Sequence, residues 1–158
     1  MNERKTKNQH LQTTSKRGST LIMLVLAVAL LTIMGVIIVP AYTNFQHRND
    51  LDIAVSLTAE AMRRAQVESQ ALVRDSEWSV HLSQGKITIF QGNNWQTRDS
   101  NFDQSYAINS RIIFSGLIEV VFKKTTGFPV TSGTLIFSAP NQQTRSIIIN
   151  YKGFLSYE

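Results

Sequence analysis

Residues 16–39, KRGSTLIMLVLAVALLTIMGVIIV, decide the fold of this chain. Two cations and a glycine precede an apolar run from Leu21 to Val39, which only Thr32 and Gly35 interrupt. At about 1.5 Å rise per residue, roughly twenty residues cross the ~30 Å hydrocarbon core of a bilayer. The backbone of such a run must be helical because lipid offers it no hydrogen-bond partners. The run is therefore predicted to be a transmembrane helix.

Two other interpretations of the apolar run are weaker. A core helix of a soluble protein would carry a polar stripe on one face, and this run has none. A cleaved secretory signal is a stronger rival, because Val39-Pro40-Ala41 offers small residues just before Tyr42. However, the run exceeds the roughly 7–15 apolar residues of a signal core. Proline next to the cut is also unfavourable.

The positive charge is concentrated before the apolar run. The net charge of the 158-residue chain is +5. Residues 1–18 contain five cations and one anion, so the remainder is close to neutral at +1. A basic flank is typical of the cytoplasmic side of a membrane helix. A nearly neutral remainder gives no general electrostatic reason to expect nucleic-acid binding.

Residues 43–76 are amphipathic, in contrast to the uniformly apolar run that precedes them. Apolar and small residues recur at spacings of three and four, as on one face of a helix. They are Leu51, Ala54, Val55, Thr58, Ala61, Met62, Ala65, Ala71 and Leu72. One helix is predicted from about residue 20 to about residue 74. Gly35 and Pro40 are expected to kink it, since proline removes a backbone donor and clashes with the preceding turn.

Residues 77–158 are predicted to form antiparallel strands. Trp78–Ser83 and Lys86–Gln91 flank Gln84-Gly85, which indicates a tight hairpin. Residues 97–110 are polar and are predicted to be a loop. Further strands are predicted at 111–114, 117–124, 134–138, 145–151 and 154–157. Turns are expected at 127–129, 132–133 and 140–141. The fold class is therefore α+β: a long N-terminal helix packed on an antiparallel sheet.

The segment from Gly18 to Val25 resembles the processing site of type IV prepilins and type II secretion pseudopilins. That resemblance implies that prepilin peptidase cleaves after Gly18 and methylates Ser19, the first mature residue. Pro40-Ala41-Tyr42 is similar to the family's usual continuation. The implied organisation is a leader over 1–18, a transmembrane helix over 19–42, an amphipathic helix over 43–76 and a β head over 77–158.

Two positions depart from the family pattern. Ser19 replaces the usual phenylalanine, a position that the peptidase tolerates widely. Met23 stands where most members carry a glutamate that neutralises the amino terminus of a neighbouring subunit. An unpaired charge in an apolar bundle is costly, so Met23 favours a rare or tip subunit over a repeating one. The alternative is that Met23 is simply tolerated.

The head is similar, more diffusely, to the H-type pseudopilins (GspH) and FimT-like minor pilins. The similarity lies in residues 61–82, where a helix end leads into Trp78-Ser79-Val80-His81-Leu82, and in residues 133–137 and 146–153. The implied partners are other pilin subunits, prepilin peptidase and the inner-membrane assembly platform. The implied location is the inner membrane with the head outside the cytoplasm, then a filament. The choice among secretion, motility, adhesion and DNA uptake stays open.

The residues give no indication of enzymatic chemistry. No nucleophile, base and acid stand in a convincing arrangement, and no glycine loop is suited to phosphate. There is no cysteine, and His10, His47 and His81 lack ligand spacing. Asp50 with Asp52, or Asp75 with Glu77, are more typical of helix caps or solvated faces than of a calcium site. We expect no catalytic residue, metal or cofactor.

Two alternative functions remain. Some FimT-like minor pilins capture DNA. In that case Lys123, Lys124, Arg145 and Lys152 would form a DNA contact at the sheet edge. Phe128 or Tyr151 would then add base stacking. Scattered solubilising charge is favoured over this interpretation. The other alternative is a single-pass anchored protein that joins no filament.

Overall fold

The computed structural model describes the backbone of residues 4–158 and the side chains of residues 18–35 and 42–158. The chain forms two compact units, Met1–Thr43 and Asn44–Glu158. One helix, α1 (Arg4–Gln70), contributes residues to both units. Each unit is described by itself below, and the second is called the head.

The apolar part of the first unit exposes all its described side chains. Gly18–Gly35 is long and apolar enough to cross a membrane, judged by length and composition. Leu21, Met23 and Leu31 are each about two-thirds exposed or more, at 66 %, 72 % and 69 %. Exposed apolar surface of this size calls for an apolar environment.

In the head, α1 buries one face along its length. The buried residues are Leu51, Ala54, Val55, Thr58, Ala59, Ala61, Met62, Ala65 and Ser69. Their spacing of three and four confirms the amphipathic pattern. The prediction was wrong for Ala71 and Leu72, which are exposed.

The difference arises because α1 ends at Gln70, earlier than predicted. Leu72 and Arg74 have φ values of 53° and 58°, in the left-handed region, which interrupts a right-handed helix. The chain then makes a short 3-10 turn at Val73–Asp75 and enters the first strand.

Eight strands follow in the head. They are β1 (Trp78–Ser83), β2 (Lys86–Gln91), β3 (Gln104–Ala107), β4 (Ile113–Gly116), β5 (Glu119–Phe122), β6 (Gly133–Ser138), β7 (Thr144–Ile149) and β8 (Leu155–Tyr157). They form two four-stranded antiparallel sheets instead of one. Sheet A has the order β3-β2-β1-β5, and sheet B has the order β4-β6-β7-β8.

The hairpin β1–β2 has the predicted bounds. Trp78 pairs with Gln91 and Ser83 with Lys86, and Gly85 takes a φ of 77° in the turn. The prediction of a loop over 97–110 was wrong in part, because β3 lies within it. β3 is polar and lacks the apolar alternation that marks a strand; it forms by pairing with β2, with Lys86 opposite Ala107.

The core lies between α1 and the two sheets. Its largest fully buried side chains include Phe122, Phe137 and Met62. Ser69, also buried, joins α1 to sheet A: its Oγ accepts the Trp78 N–H at 2.9 Å and donates to the Phe122 carbonyl at 3.1 Å. The Thr125 N–H donates to the Ser69 carbonyl at 3.1 Å.

Candidate functional site

The predicted processing site lies in the exposed part of α1. Gly18 and Ser19 are exposed. A side chain built at Gly18 would meet no described atom within 4 Å, and the same holds at Gly35. The side chain of Pro40, the other predicted kink position, lies outside the described residues. Cleavage, methylation and the kink therefore stay predictions.

Met23 projects from the exposed apolar stretch, with 72 % of its surface accessible. Around it, Ser19 and Thr20 are the nearest polar residues in sequence, and Gly18–Gly35 contains no Asp, Glu, Lys or Arg. Neighbouring apolar helices or lipid could cover this stretch without burying a charge. A carboxylate is therefore missing at the position where the family resemblance places one.

The four cations of the alternative DNA contact do not lie together. The Arg145 Nε is 3.3 Å from the Asp52 carboxylate, whereas the Lys124 Nζ is 2.5 Å from that of Asp75. The segment after Lys124 bonds to Ser69. Positions 52 and 69 of α1 are about 25 Å apart along the helix axis. Arg145 therefore lies at the opposite end of the head from Lys124.

The other lysines lie on two neighbouring loops. The Lys123 N–H donates to the Phe128 carbonyl at 2.9 Å. A Cβ built at Gly153 would lie 3.5 Å from the Pro129 Cδ, which brings the turn with Tyr151 and Lys152 to the loop with Phe128. Phe128, Tyr151 and Phe154 are 45 %, 68 % and 69 % exposed. We call Lys123, Phe128, Tyr151, Lys152 and Phe154 the aromatic-basic surface.

Three of the four residues in the two acidic pairs, Asp50, Asp52 and Asp75, are engaged within the head. Asp50 accepts a hydrogen bond of 2.7 Å from Asn109 Nδ2. Asp52 and Asp75 form the ion pairs with Arg145 and Lys124. Among the residues that the structure describes, no three His, Cys, Asp or Glu side chains are grouped to hold a metal.

A stacked cluster covers the outer side of sheet A and was not predicted. The Trp95 ring stacks on His81, with ring centroids 4.1 Å apart, and the Arg98 guanidinium lies 3.3 Å from its centroid. His81 Nδ1 is also 3.2 Å from the Glu119 carboxylate, and Arg98 forms two hydrogen bonds with Asp103. Trp95, a large ring in a polar loop, was the only signal in the sequence. The cluster fastens this loop to β1.

A second unpredicted contact joins α1 to β3 through Arg64. Arg64 Nε donates to Glu68 at 3.0 Å, and Arg64 Nη1 donates to the Tyr106 hydroxyl at 3.1 Å. These hydrogen bonds, that of Glu68 first, raise the pKa of Arg64. Arg64 is half exposed, so its hydrogen bond to Tyr106 positions β3 more than it stabilises the head.

A groove of about 700 Å³ lies between α1 and the β7–β8 end of sheet B. Asp52, Val55, Ala59 and Arg63 line it from the helix, and Tyr157 lines it from β8. The Arg63 Nη2 donates to the Tyr157 hydroxyl at 3.1 Å. Sequence reasoning missed the groove because it depends on how far α1 and sheet B separate.

Comparison with known proteins supports the fold. No family model matches the chain, and no curated protein matches its sequence. A solved structure that does match is that of the minor pseudopilin EpsH from the Type 2 Secretion System of Vibrio cholerae. The similarity covers 69 % of this chain and 96 % of that one, with a TM-score of 0.50 and 10 % sequence identity. The chain therefore has a pseudopilin-like fold, as the resemblance implied.

Proposed function

We propose that this protein is a minor pilin or pseudopilin, a structural subunit without enzymatic activity. The observation that carries the proposal is one helix with two parts. Its exposed apolar part, Gly18–Gly35, suits a membrane or a helical bundle, and its later part forms the core of a pseudopilin-like head. In a filament, apolar contacts among such helices would hold the subunits together.

The proposal extends to processing, location and partners. Residues 1–18 would remain in the cytoplasm, in accord with their basic charge, and prepilin peptidase would cleave after Gly18 and methylate Ser19. The helix would anchor the head outside the inner membrane until the assembly platform extracts the subunit. Met23 would restrict the subunit to a rare or tip position, where no neighbour needs its carboxylate.

The N-terminal mass of the membrane-extracted chain tests this proposal. Expressed with prepilin peptidase, the chain should begin at Ser19 and carry an N-methyl group; expressed without it, the chain should keep its leader. A Gly18→Ile variant should stay uncut in both cases, because a β-branched side chain replaces the residue at the cut. Each chain is expected either to keep or to lose the whole leader, so intact-mass spectrometry suffices to detect the difference.

Two other results would contradict the proposal. A chain that begins at Tyr42 whether or not the peptidase is present would be a secreted β domain released by signal peptidase. A chain that keeps Met1 in the presence of the peptidase would be a membrane-anchored protein outside any filament.

A DNA-binding minor pilin is the second candidate, favoured by the aromatic-basic surface. Exposed rings beside lysines can stack on bases and contact phosphates. If this surface binds DNA, Lys123→Ala with Lys152→Ala should reduce single-stranded DNA retention by about tenfold and flatten its salt dependence. The control is Arg145→Ala, which removes one positive charge beside Asp52 at the other end of the head and is compared with each single lysine variant and with the double variant. Equal loss in both variants, or none in the double variant, would exclude this surface as the receptor.

A further inference from the structure

β8 is one of the two edge strands of sheet B, and its free edge faces away from β7. Ser146 and Glu158 exchange two backbone hydrogen bonds, of 2.8 and 3.1 Å, and the Asn150 N–H donates to the Phe154 carbonyl. In an antiparallel ladder, inward and outward backbone groups alternate. The N–H and C=O groups of Leu155 and Tyr157 therefore point away from β7. Within residues 42–158 they have no backbone hydrogen-bond partner.

The β5 edge of sheet A, unlike β8, is covered by another segment of the chain. The segment from Phe128 to Val130 lies along β5, where the Lys123 N–H donates to the Phe128 carbonyl and the Val130 N–H to the Val121 carbonyl. Covering an edge in this way prevents pairing with another chain. No described segment covers β8, and the groove of about 700 Å³ lies beside it.

The groove has the length and shape for a short extended peptide. Its helix side runs from Asp52 to Arg63, about 16 Å along α1. That distance corresponds to about five residues of a β-strand. Val55 and Ala59 are 9 % and 4 % exposed and give an apolar floor. Tyr157, at 48 % exposed, stands at the side of β8.

The charges of the groove favour a basic residue in the occupant. Asp52 is paired with Arg145, and Arg63 is hydrogen-bonded to the Tyr157 hydroxyl. Glu60 also lines the groove, is exposed, and has no ion-pair partner among the described side chains. An incoming lysine or arginine would supply that partner.

We propose that β8 binds an extended segment of another protein by strand addition. The segment pairs with the outward backbone groups of Leu155 and Tyr157. Its apolar side chains lie over Val55 and Ala59, and a basic side chain meets Glu60. Main-chain hydrogen bonds supply affinity, and the groove selects the side chains. The inference needs only the head, so it holds whether or not the subunit enters a filament.

The test uses the full chain in detergent and a fluorescent VKVKV peptide as the probe. The peptide should bind saturably, and the amides of residues 155–157 should become protected from hydrogen exchange. The same peptide N-methylated at every amide should bind at least about tenfold more weakly, because it cannot complete the ladder. No saturable binding, or equal binding of both peptides, would overturn the proposal.

Variants distinguish the contribution of the β8 backbone to peptide binding from that of the side chains. Tyr157→Pro removes an outward N–H and leaves the β7 hydrogen bonds, since proline is tolerated at a free strand edge; binding should fall about tenfold or more. Tyr157→Ala keeps the N–H and should weaken binding less. Glu60→Lys should also weaken binding of the basic peptide. If Tyr157→Pro lowers the melting temperature of the head, Glu60→Lys is the variant that decides the test. Unchanged binding in Glu60→Lys would overturn the charge assignment.

Self-association is the remaining outcome. If the chain alone forms a dimer that dilution or Tyr157→Pro dissociates, the occupant of β8 is a second copy and the proposed partner is wrong. A monomer that binds the peptide supports the proposal. Size-exclusion chromatography with light scattering, corrected for detergent, distinguishes the two.

Discussion

Replacing Gly116 by alanine is expected to destabilise the head more than any other single-methyl addition in sheet B. A Cβ at this position would overlap the carbonyl oxygen of Thr134, and the φ of 84° disfavours any L side chain. The obstacle is backbone on β6, so β4 and β6 would have to separate. We expect a loss of about 3 kcal/mol or more in the free energy of unfolding.

Thermal unfolding of the detergent-extracted chain measures this effect. A loss of that size should lower the melting temperature by roughly 10 °C for a head of this size. Gly133→Ala is the matched control: its Cβ would make an ordinary contact of 3.7 Å with the Leu117 Cδ2. That variant should change stability by less than about 1 kcal/mol. Equal melting temperatures for both variants would contradict the close approach of Gly116 to β6.

Truncating Phe137 to alanine is expected to cost about 3–5 kcal/mol, since a large cavity replaces a fully buried ring. Phe137 is 0 % exposed and makes an edge contact with Phe114, with centroids 5.4 Å apart. It lies in the core, where the surrounding sheets cannot collapse onto a cavity without breaking their ladders.

Phe154→Ala is the control for Phe137→Ala because it deletes the same atoms from a ring that is 69 % exposed. Its effect on the free energy of unfolding should stay within about 0.5 kcal/mol. Chemical denaturation at a fixed detergent concentration compares the two. A small loss in Phe137→Ala would mean that sheet B does not form the core described above.

Local patterns predicted the elements that depend on local chemistry. The β1–β2 hairpin was predictable because alternating residues flank Gly85, which adopts the turn conformation without strain. The buried face of α1 followed from its spacing. The end of α1 was less predictable, since Ala71 and Leu72 continue the apolar pattern although the chain leaves the helix at Gln70.

Pairing between distant segments was not predictable from these patterns. β5 pairs with β1, whereas β4, which precedes it directly, pairs with β6 in the other sheet. β3 has no apolar alternation, so its position was decided by the free edge of β2. The same limit applies to the candidate sites: Lys123 and Lys152 approach each other through Pro129 and Gly153, whereas Arg145 is drawn to Asp52.

The attachment of α1 within the head determines how the protein bears mechanical load. Tension applied to the head segment of α1 at Asn44, along the axis of that segment, would load its contacts with the sheets in shear. Ala54, Ala61 and Ala65 are buried but short, so they resist sliding little. The resistance is concentrated at Leu51, at Met62 and at the hydrogen bonds of Ser69. The hydrogen bonds of Ser69, in the last turn of α1, are therefore expected to be the last contacts of this helix to break under a pulling force.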